Sequence, residues 1–362
     1  MERKLKIAIA CQGGGSQTAF TAGALKALFE ARVHDRFEIV SLSGTSGGSI
    51  CAALAWYALR KRDPVPWQRL AEFWAENTAQ SPAEEAFNSY TVGLLRAVSS
   101  GHVAIRQGSP SSAMMQMATG MVAKVFRPHF TDLRALLEAH IDFEELRSWG
   151  PSELRPVLLV GAVNVLNGHL AQFTSRASAL RVEHILASCA VPSIFPAVEF
   201  DGGAYWDGLF SDNPPINELI RARCVGAENI PDEIWVIKIN ATGSANVPVS
   251  PDAIADRRNE LVGNVSLFQQ LRSIGFINDL LLADAFRPEF LQGFDVQAPI
   301  GIPKCYREEP DRPYHIPCIE MSAGLQESLD HASKLDRSTA LAANLMADGE
   351  RQARAFLKQR GH

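Results

Sequence analysis

The sequence predicts an α/β fold with a mostly parallel central sheet and helices on both faces. Apolar runs of strand length alternate with helix-spaced patterns over the first sixty residues, the order that a parallel sheet requires. The first run ends in Gly13-Gly14-Gly15 and the second in Gly44, so two tight turns follow two strands on one rim of that sheet. With 362 residues, 46% of them hydrophobic, the chain can bury a large core.

Leu5 to Ala10 is the first strand. From Thr18 onward, Ala19, Phe20, Ala22, Leu25, Leu28 and Phe29 recur at helical spacing. Phe37 to Leu42 is the second strand, and Ser49 to Arg60 is an alanine-rich helix. Residues 63–142 break the alternation with Pro64, Pro66, Trp67, Trp74, a Ser/Gly/Pro-rich stretch at 99–112, and Met114, Met115, Met117 and Met121. They are read as a helical insertion. Its methionines are either helix core or the wall of a lid over an apolar cleft. The strand pattern resumes at Pro156 to Val165, and a helix follows over Val182 to Cys189. Next come a short hairpin around Asp201-Gly202 and a buried strand at Ile234 to Ile239. From about Pro251 the chain is mainly helical, apart from a loop near 299–317, and Ser266 to Leu282 is read as packing. The expected organisation is a motif-bearing domain over 1–250, with the insertion at 63–142, and a helical extension over 251–362 packed on it.

Charge and composition exclude some functions. A formal net charge of −5 offers no basic surplus for nucleic acid. The six cysteines form no C-x-x-C pair and no Cys/His cluster of zinc spacing, so neither metal nor cofactor is expected. Cys11, Cys51 and Cys189 lie in apolar segments and read as small buried packers, a usage that suits a reducing compartment. The apolar run after Lys6 is too short for a signal peptide, and no stretch approaches a membrane span. A cytoplasmic protein, with room for peripheral membrane contact, is the expectation; the sequence assigns no oligomeric state.

Three segments carry chemistry. Gly44-Thr45-Ser46-Gly47-Gly48 is a G-x-S-x-G turn between a strand and a helix. Its glycines admit a strained turn that lifts Ser46 above the sheet, and the N-terminus of the following helix favours developing negative charge. The bare pattern arises by chance in about one chain in ten of this length, so the strand–helix context makes the assignment. Ser43 and Ser49 flank the turn without occupying its centre. Gly13, Gly14 and Gly15 present backbone N–H groups that can receive an oxyanion. The alternatives are a plain flexible turn and a phosphate loop, but neither G-x-x-x-x-G-K-[ST] nor G-x-G-x-x-G is present. For the base, Asp201-Gly202-Gly203 competes with Asp207-Gly208-Leu209. The first reads as a hairpin turn between apolar runs. The second follows the second strand of that hairpin and is braced by Asn213-Pro214-Pro215, so Asp207 is chosen. Burial can raise a carboxyl's pKa toward that of a useful base. His102, His140, His169 and His184 lie in no triad context.

These segments resemble the patatin-like phospholipase family: a glycine-rich oxyanion loop, a G-x-S-x-G nucleophile turn, and a D-G-[GA] turn followed by Asn and Pro. Ser188-Cys189-Ala190-Val191-Pro192 through Phe195-Pro196 also looks like the family's loop before the base, and Arg257 to Leu261 resembles a C-terminal extension of some bacterial members. Two positions depart from the pattern. Gln17 stands where many members carry Arg or Lys, and Leu209 replaces the second glycine of the base turn. The resemblance implies a three-layer α/β/α domain and a Ser–Asp dyad that hydrolyses lipid acyl esters without a metal. Ser46 would be the nucleophile and Asp207 the base. Gly13, Gly14 and Gly15 would be the oxyanion donors, with Gly44, Gly47, Gly48, Gly208 and Asn213 in support. An acyltransferase or thioesterase on the same site, and a non-catalytic lipid-binding module, stand as the alternatives.

Overall fold

The computed structural model describes residues 4–102, 110, 112, 117, 120–122, 124–192, 194–244, 246–289 and 318–361. Its strands are β1 (Lys6–Cys11), β2 (Glu38–Thr45), β3 (Val157–Asn164), β4 (Leu170–Thr174), β5 (Val198–Phe200), β6 (Gly203–Asp207), β7 (Glu233–Lys238) and β8 (Cys318–Glu320). They form one sheet in the order β5-β6-β3-β2-β1-β7-β8, with β4 also paired to β3. The core pairs β3/β2, β2/β1, β1/β7 and β7/β8 are parallel, whereas β4, β5 and β6 join antiparallel. The mixed α/β class with a mostly parallel sheet is as the sequence predicts.

The principal helices are α1 (Ala19–Glu30), α2 (Gly47–Lys61), α3 (Gln68–Asn77), α4 (Pro82–Ser99), α5 (Leu133–His140), α6 (Phe143–Trp149), α7 (Val182–Ser188), α8 (Pro251–Leu282) and α9 (Thr339–Gln359). They cover the sheet on both sides, which explains why β1 reads as an unbroken apolar run. Ile7, Ile9 and Cys11 pack into the larger core with α1, α2, α3 and α9. Ala8 and Ala10 point the other way, into a smaller core with Leu267, Leu271 and Ile274 of α8.

Two boundaries differ from the sequence expectation. β2 continues past Leu42 through Ser43, Gly44 and Thr45, because their hydroxyls are satisfied inside the protein. Ser43 Oγ donates to Pro215 O (2.6 Å) and Thr45 Oγ1 to Asp212 O (2.6 Å). α2 begins at Gly47, directly after Ser46, rather than at Ser49. The Asp201-Gly202 hairpin is present, and both residues have positive φ (50° and 74°), the conformation of a type I′ turn. β4 and β8 are additions to the expected strands. β4 is a half-exposed edge strand, and β8 is three residues long, so neither leaves a strong alternating signal.

The insertion is helical where described. Its α4 starts with a Ser81/Glu84 capping box, and buried Glu84 pairs with Arg127 (2.9 Å). Met117 and Met121 are exposed rather than packed in a core, while Met114 and Met115 lie outside the described residues. The expected loop at 299–317 also falls outside them.

The last helix is locked into the body by backbone contact. A Cβ on Gly23 of α1 would stand 2.0 Å from Met346 O of α9, and one on Gly349 would stand 2.1 Å from Phe20 O. Lys26–Glu350 (2.8 Å) and Glu30–Arg354 (2.9 Å) run beside this crossing. We predict that Gly349→Ala lowers unfolding stability by about 1–3 kcal/mol, since backbone rather than a flexible side chain must move. Urea unfolding with an unchanged slope reads this directly.

Candidate active site

Sheet register brings the two distant motifs together. Thr45, the last residue of β2, is in register with Gly161 of β3. Asp207, the last residue of β6, is in register with Ala162, the next residue of β3. Ser46 and Asp207 therefore leave their strands at consecutive positions of one neighbour. Gly208 confirms the closeness: a Cβ there would stand 2.4 Å from Gly161 O and 2.8 Å from Thr45 Cγ2.

Ser46 occupies the sharp turn between β2 and α2 with φ 54° and ψ −134°, a strained conformation for a residue with a side chain. It is held from both sides. Its N–H donates to Ser188 Oγ (2.9 Å), and Ser188 Oγ donates in turn to Gly161 O (2.6 Å). Its carbonyl accepts from Ser49 N (2.8 Å) and Ser49 Oγ (2.7 Å) in the first turn of α2. Gly44, Gly47 and Gly48 make the turn sterically feasible. Gly48 lies so close to β1 that a Cβ would stand 2.2 Å from Cys11 O, while Gly44 packs on the Gly48 carbonyl and Gly47 on Thr18 Oγ1.

The triple glycine lies against this turn. A Cβ on Gly13 would come within 2.5 Å of Thr45 O and 2.8 Å of Ser46 Cβ. The Gly13 N–H already has an acceptor, Asn213 Oδ1, at 2.7 Å. Gly14 precedes the 3₁₀ turn Gly15–Thr18 and accepts only from Gln17 N (3.2 Å) at its carbonyl. The Gly14 and Gly15 N–H groups have no protein acceptor among the described residues, as expected at the start of a helical turn. Of the three sequence-predicted donors, these two are the ones free to receive a ligand oxygen.

Asp207 is fully buried at the end of β6. Oδ1 accepts from Leu209 N (2.8 Å), so the residue that replaces the second glycine still supplies the turn's amide. Oδ2 is buried without a full hydrogen bond. Burial pushes the carboxyl's pKa up to about 7, opposed by the Leu209 amide and by the side chain of Ser46. Among the described residues no hydrogen bond of full geometry joins the Ser46 hydroxyl to this carboxyl. Asp201, by contrast, is exposed in its hairpin turn and pairs with Arg181.

No described histidine hydrogen-bonds Ser46 or Asp207. His184 is buried and stacked on Phe173 (4.4 Å), and desolvation lowers its pKa to about 4. His140 lies against Phe73 and Glu76, His102 bonds Ser100, and His169 is exposed. Gln17 also points away from the site, donating to Ser333 Oγ (2.8 Å). Among the described residues no group of three or more His, Cys, Asp or Glu is arranged to hold a metal ion.

The family model described as patatin-like phospholipase matches residues 9–220, more than half of the chain. The chain belongs to the patatin-like phospholipase family. Lipid acyl hydrolysis is therefore its general activity, and a lipid its substrate class. The crystal structure of VipD from Legionella pneumophila aligns at 15% identity and a TM-score of 0.40, over 99% of this chain and 67% of that one. No curated protein matches the chain. Among the described residues, no helix is long and apolar enough to cross a membrane.

Sequence reasoning named both ends of the site but missed its braces. Ser188 was visible only as part of a family-like stretch. The same stretch also holds the base, since Asp207 N donates to Ala190 O (3.0 Å). The support from α8 had no local signal at all. Ser266 Oγ accepts from Asn213 N (2.9 Å), and Gln270 Oε1 accepts from Ile216 N (2.7 Å) and Asn217 N (3.0 Å). Gln12 joins the glycine loop to the same helix through Gly263 O (3.0 Å) and Asn264 Oδ1 (3.1 Å). We predict that Ser188→Ala, which removes a buried acceptor from Ser46 N–H and a donor from Gly161 O, lowers stability by about 1–3 kcal/mol. Ester turnover should fall about tenfold or more as the turn relaxes. Unfolding and steady-state kinetics on one preparation check both.

Proposed function

We infer that the protein is a serine acyl hydrolase in which Ser46 and Asp207 act as a dyad on lipid esters. The reading is supported by one observation: the fully buried Asp207 carboxyl and the strained, half-buried Ser46 leave their strands beside adjacent residues of β3, and no described histidine hydrogen-bonds either. In the first step Asp207 takes the hydroxyl proton as Ser46 Oγ attacks the ester carbonyl carbon. The carbonyl oxygen becomes an anion and is received by the Gly14 and Gly15 N–H groups, with the N-terminus of α2 adding positive potential. The intermediate collapses, the C–O bond to the alcohol breaks, and Asp207 returns the proton to the leaving oxygen. Water then attacks the acyl-Ser46 carbonyl while Asp207 takes its proton. The bond between the acyl carbon and Ser46 Oγ then breaks, Asp207 returns the proton to Oγ, and the fatty acid leaves.

The base must be ionised to accept a proton, so kcat/KM should rise with pH through about 7 and level off above it. Stability runs the opposite way. Between the unfolded carboxyl pKa, near 4, and about 7, the unfolded chain ionises while folded Asp207 stays protonated, so folding weakens as pH rises through that window. Asp207→Asn should therefore lower ester turnover by about 10²–10⁴-fold and yet be at least as stable as the parent at pH 8. Asp201→Asn should retain turnover. Ser46→Ala should abolish both turnover and labelling by a fluorophosphonate. Persistent labelling in Ser46→Ala, or loss of turnover in Asp201→Asn with Asp207→Asn active, would overturn the dyad.

A further inference from the structure

The glycine loop is backed by a turn that lies outside all three sequence motifs. The 3₁₀ turn Ala332–Lys334 packs on the loop's own 3₁₀ turn, Gly15–Thr18. A Cβ on Gly15 would stand 2.2 Å from Lys334 O and 3.3 Å from Lys334 Cβ, so only a glycine admits this approach. Gln17 ties the two turns further, donating to Ser333 Oγ (2.8 Å) and Asp330 O (3.3 Å). The backing turn is itself anchored on two helices. Asp330 pairs with Arg96 of α4 (2.6 Å), and His331 N donates to Asp256 Oδ1 of α8 (2.7 Å).

The Lys334 side chain reaches the loop's other flank. Its Nζ donates to Asn240 Oδ1 (2.9 Å). Asn240 N and Ile239 N both donate to Gln12 Oε1 (2.9 Å and 2.8 Å), and Gln12 directly precedes Gly13. Ile239 also walls Gly14, where a Cβ would stand 2.5 Å from Ile239 Cγ2. One residue thus seats Gly15 with its main chain and, with its ammonium, holds the segment that seats Gln12 and Gly14. Gly14 and Gly15 carry the loop's two free amides. As a contributor to the fold the ammonium is poor. Asn240 Oδ1 is its one protein acceptor among the described residues, and desolvation lowers its pKa against the opposing influence of Glu260 and Asp256. Glu260 is itself paired with Arg257 (2.8 Å). We propose that Lys334 is a positioning residue for the oxyanion loop, holding the Gly14 and Gly15 amides where the reaction needs them. The proposal rests on the dyad reading above. Oxyanion donors work at about 2.7–3.1 Å from the developing anion, and a misplacement of about 1 Å costs up to about a hundredfold in rate. They act on the anion rather than on the bound ester, so their loss falls on kcat more than on KM.

Lys334 borders an open pocket of about 390 Å³, lined also by Asn240, Asp256, Asn259 and Met321, so a small solute can reach the place of its side chain. The test uses the full chain and a short soluble ester, p-nitrophenyl butyrate. Lys334→Met keeps the main chain and an apolar stem but removes the ammonium. It should lower kcat about tenfold with KM within about twofold, and move the unfolding midpoint by no more than about 4 °C. Lys334→Ala should lose at least as much activity. Propylammonium replaces the atoms that Lys334→Ala removes, and it should restore several-fold of the lost kcat. Tetramethylammonium, a cation without an N–H to donate, should not. Equal kcat in the parent and Lys334→Met overturns the proposal. So does a loss confined to KM, a loss explained by unfolding at the assay temperature, or the absence of rescue by propylammonium. A parent without turnover overturns the dyad reading and this role together, whereas a parent that turns over no faster than Lys334→Met overturns this role alone.

Discussion

Two adjacent residues of β3, Gly161 and Ala162, fix the geometry on which the rest of the site depends. Gly161 aligns with the end of β2, and its carbonyl accepts from Ser188, which in turn holds the Ser46 amide. Ala162 aligns with the end of β6 and so sets where the Asp207 carboxyl emerges. A parallel strand arriving on one register and an antiparallel hairpin arriving on the next place two side chains 161 positions apart in sequence at one point. No pairwise attraction between Ser46 and Asp207 is needed to bring them there. The hydrogen-bond ladders do it, and slipping either by one residue would turn its side chain to the opposite face.

The segment beyond residue 250 acts as a clamp on this arrangement. β8 adds to the sheet beside β7, α9 crosses α1 with backbones in contact, and α8 holds Asn213 and Gln12 from below. Asn213 then occupies the Gly13 amide. That bond ties down the first glycine, while the next two amides have no protein acceptor among the described residues. Through this chain of contacts α8 constrains where the glycine loop lies.

The legible parts of the fold were those written in local pattern. β1, α1, α2, β3 and β7 appear in the sequence as apolar runs or helical repeats because both sheet faces are covered. The Asp201-Gly202 turn was legible because positive φ at two successive residues selects for such a pair. The end of β2 was hidden by Ser43 and Thr45. Their hydroxyls look like loop chemistry, yet they are buried by bonds to Asp212 and Pro215, about 170 residues away. Ser188, Ser266 and Gln270 were hidden for the same reason: a brace is defined by its partner, and the partner is remote. The placement of Asp207 over Asp201 was a choice between two similar spellings. The structure separates them by environment, one carboxyl buried and one exposed beside Arg181.

On the proposed mechanism, that difference in environment also explains how a carboxylate would serve without a histidine. An aspartate in water is too weak a base to take a proton from an alcohol at neutral pH. A cation beside it would make it weaker, as Arg127 does for Glu84, whose pKa falls to about 2 despite burial. Asp207 has no such partner among the described residues. Its ionised form is opposed by desolvation and supported only by one amide and by Ser46 itself. The carboxyl is thus raised toward the pH at which the proposed mechanism would have it give up and regain protons. Its two oxygens differ: Oδ1 is anchored by Leu209 N–H, and Oδ2 is buried without a hydrogen-bond partner. An additional hydrogen bond to Oδ2 would stabilise the folded protein and, by the same amount, discourage proton transfer. On the proposed mechanism, the unsatisfied oxygen is a stability cost that keeps the base reactive.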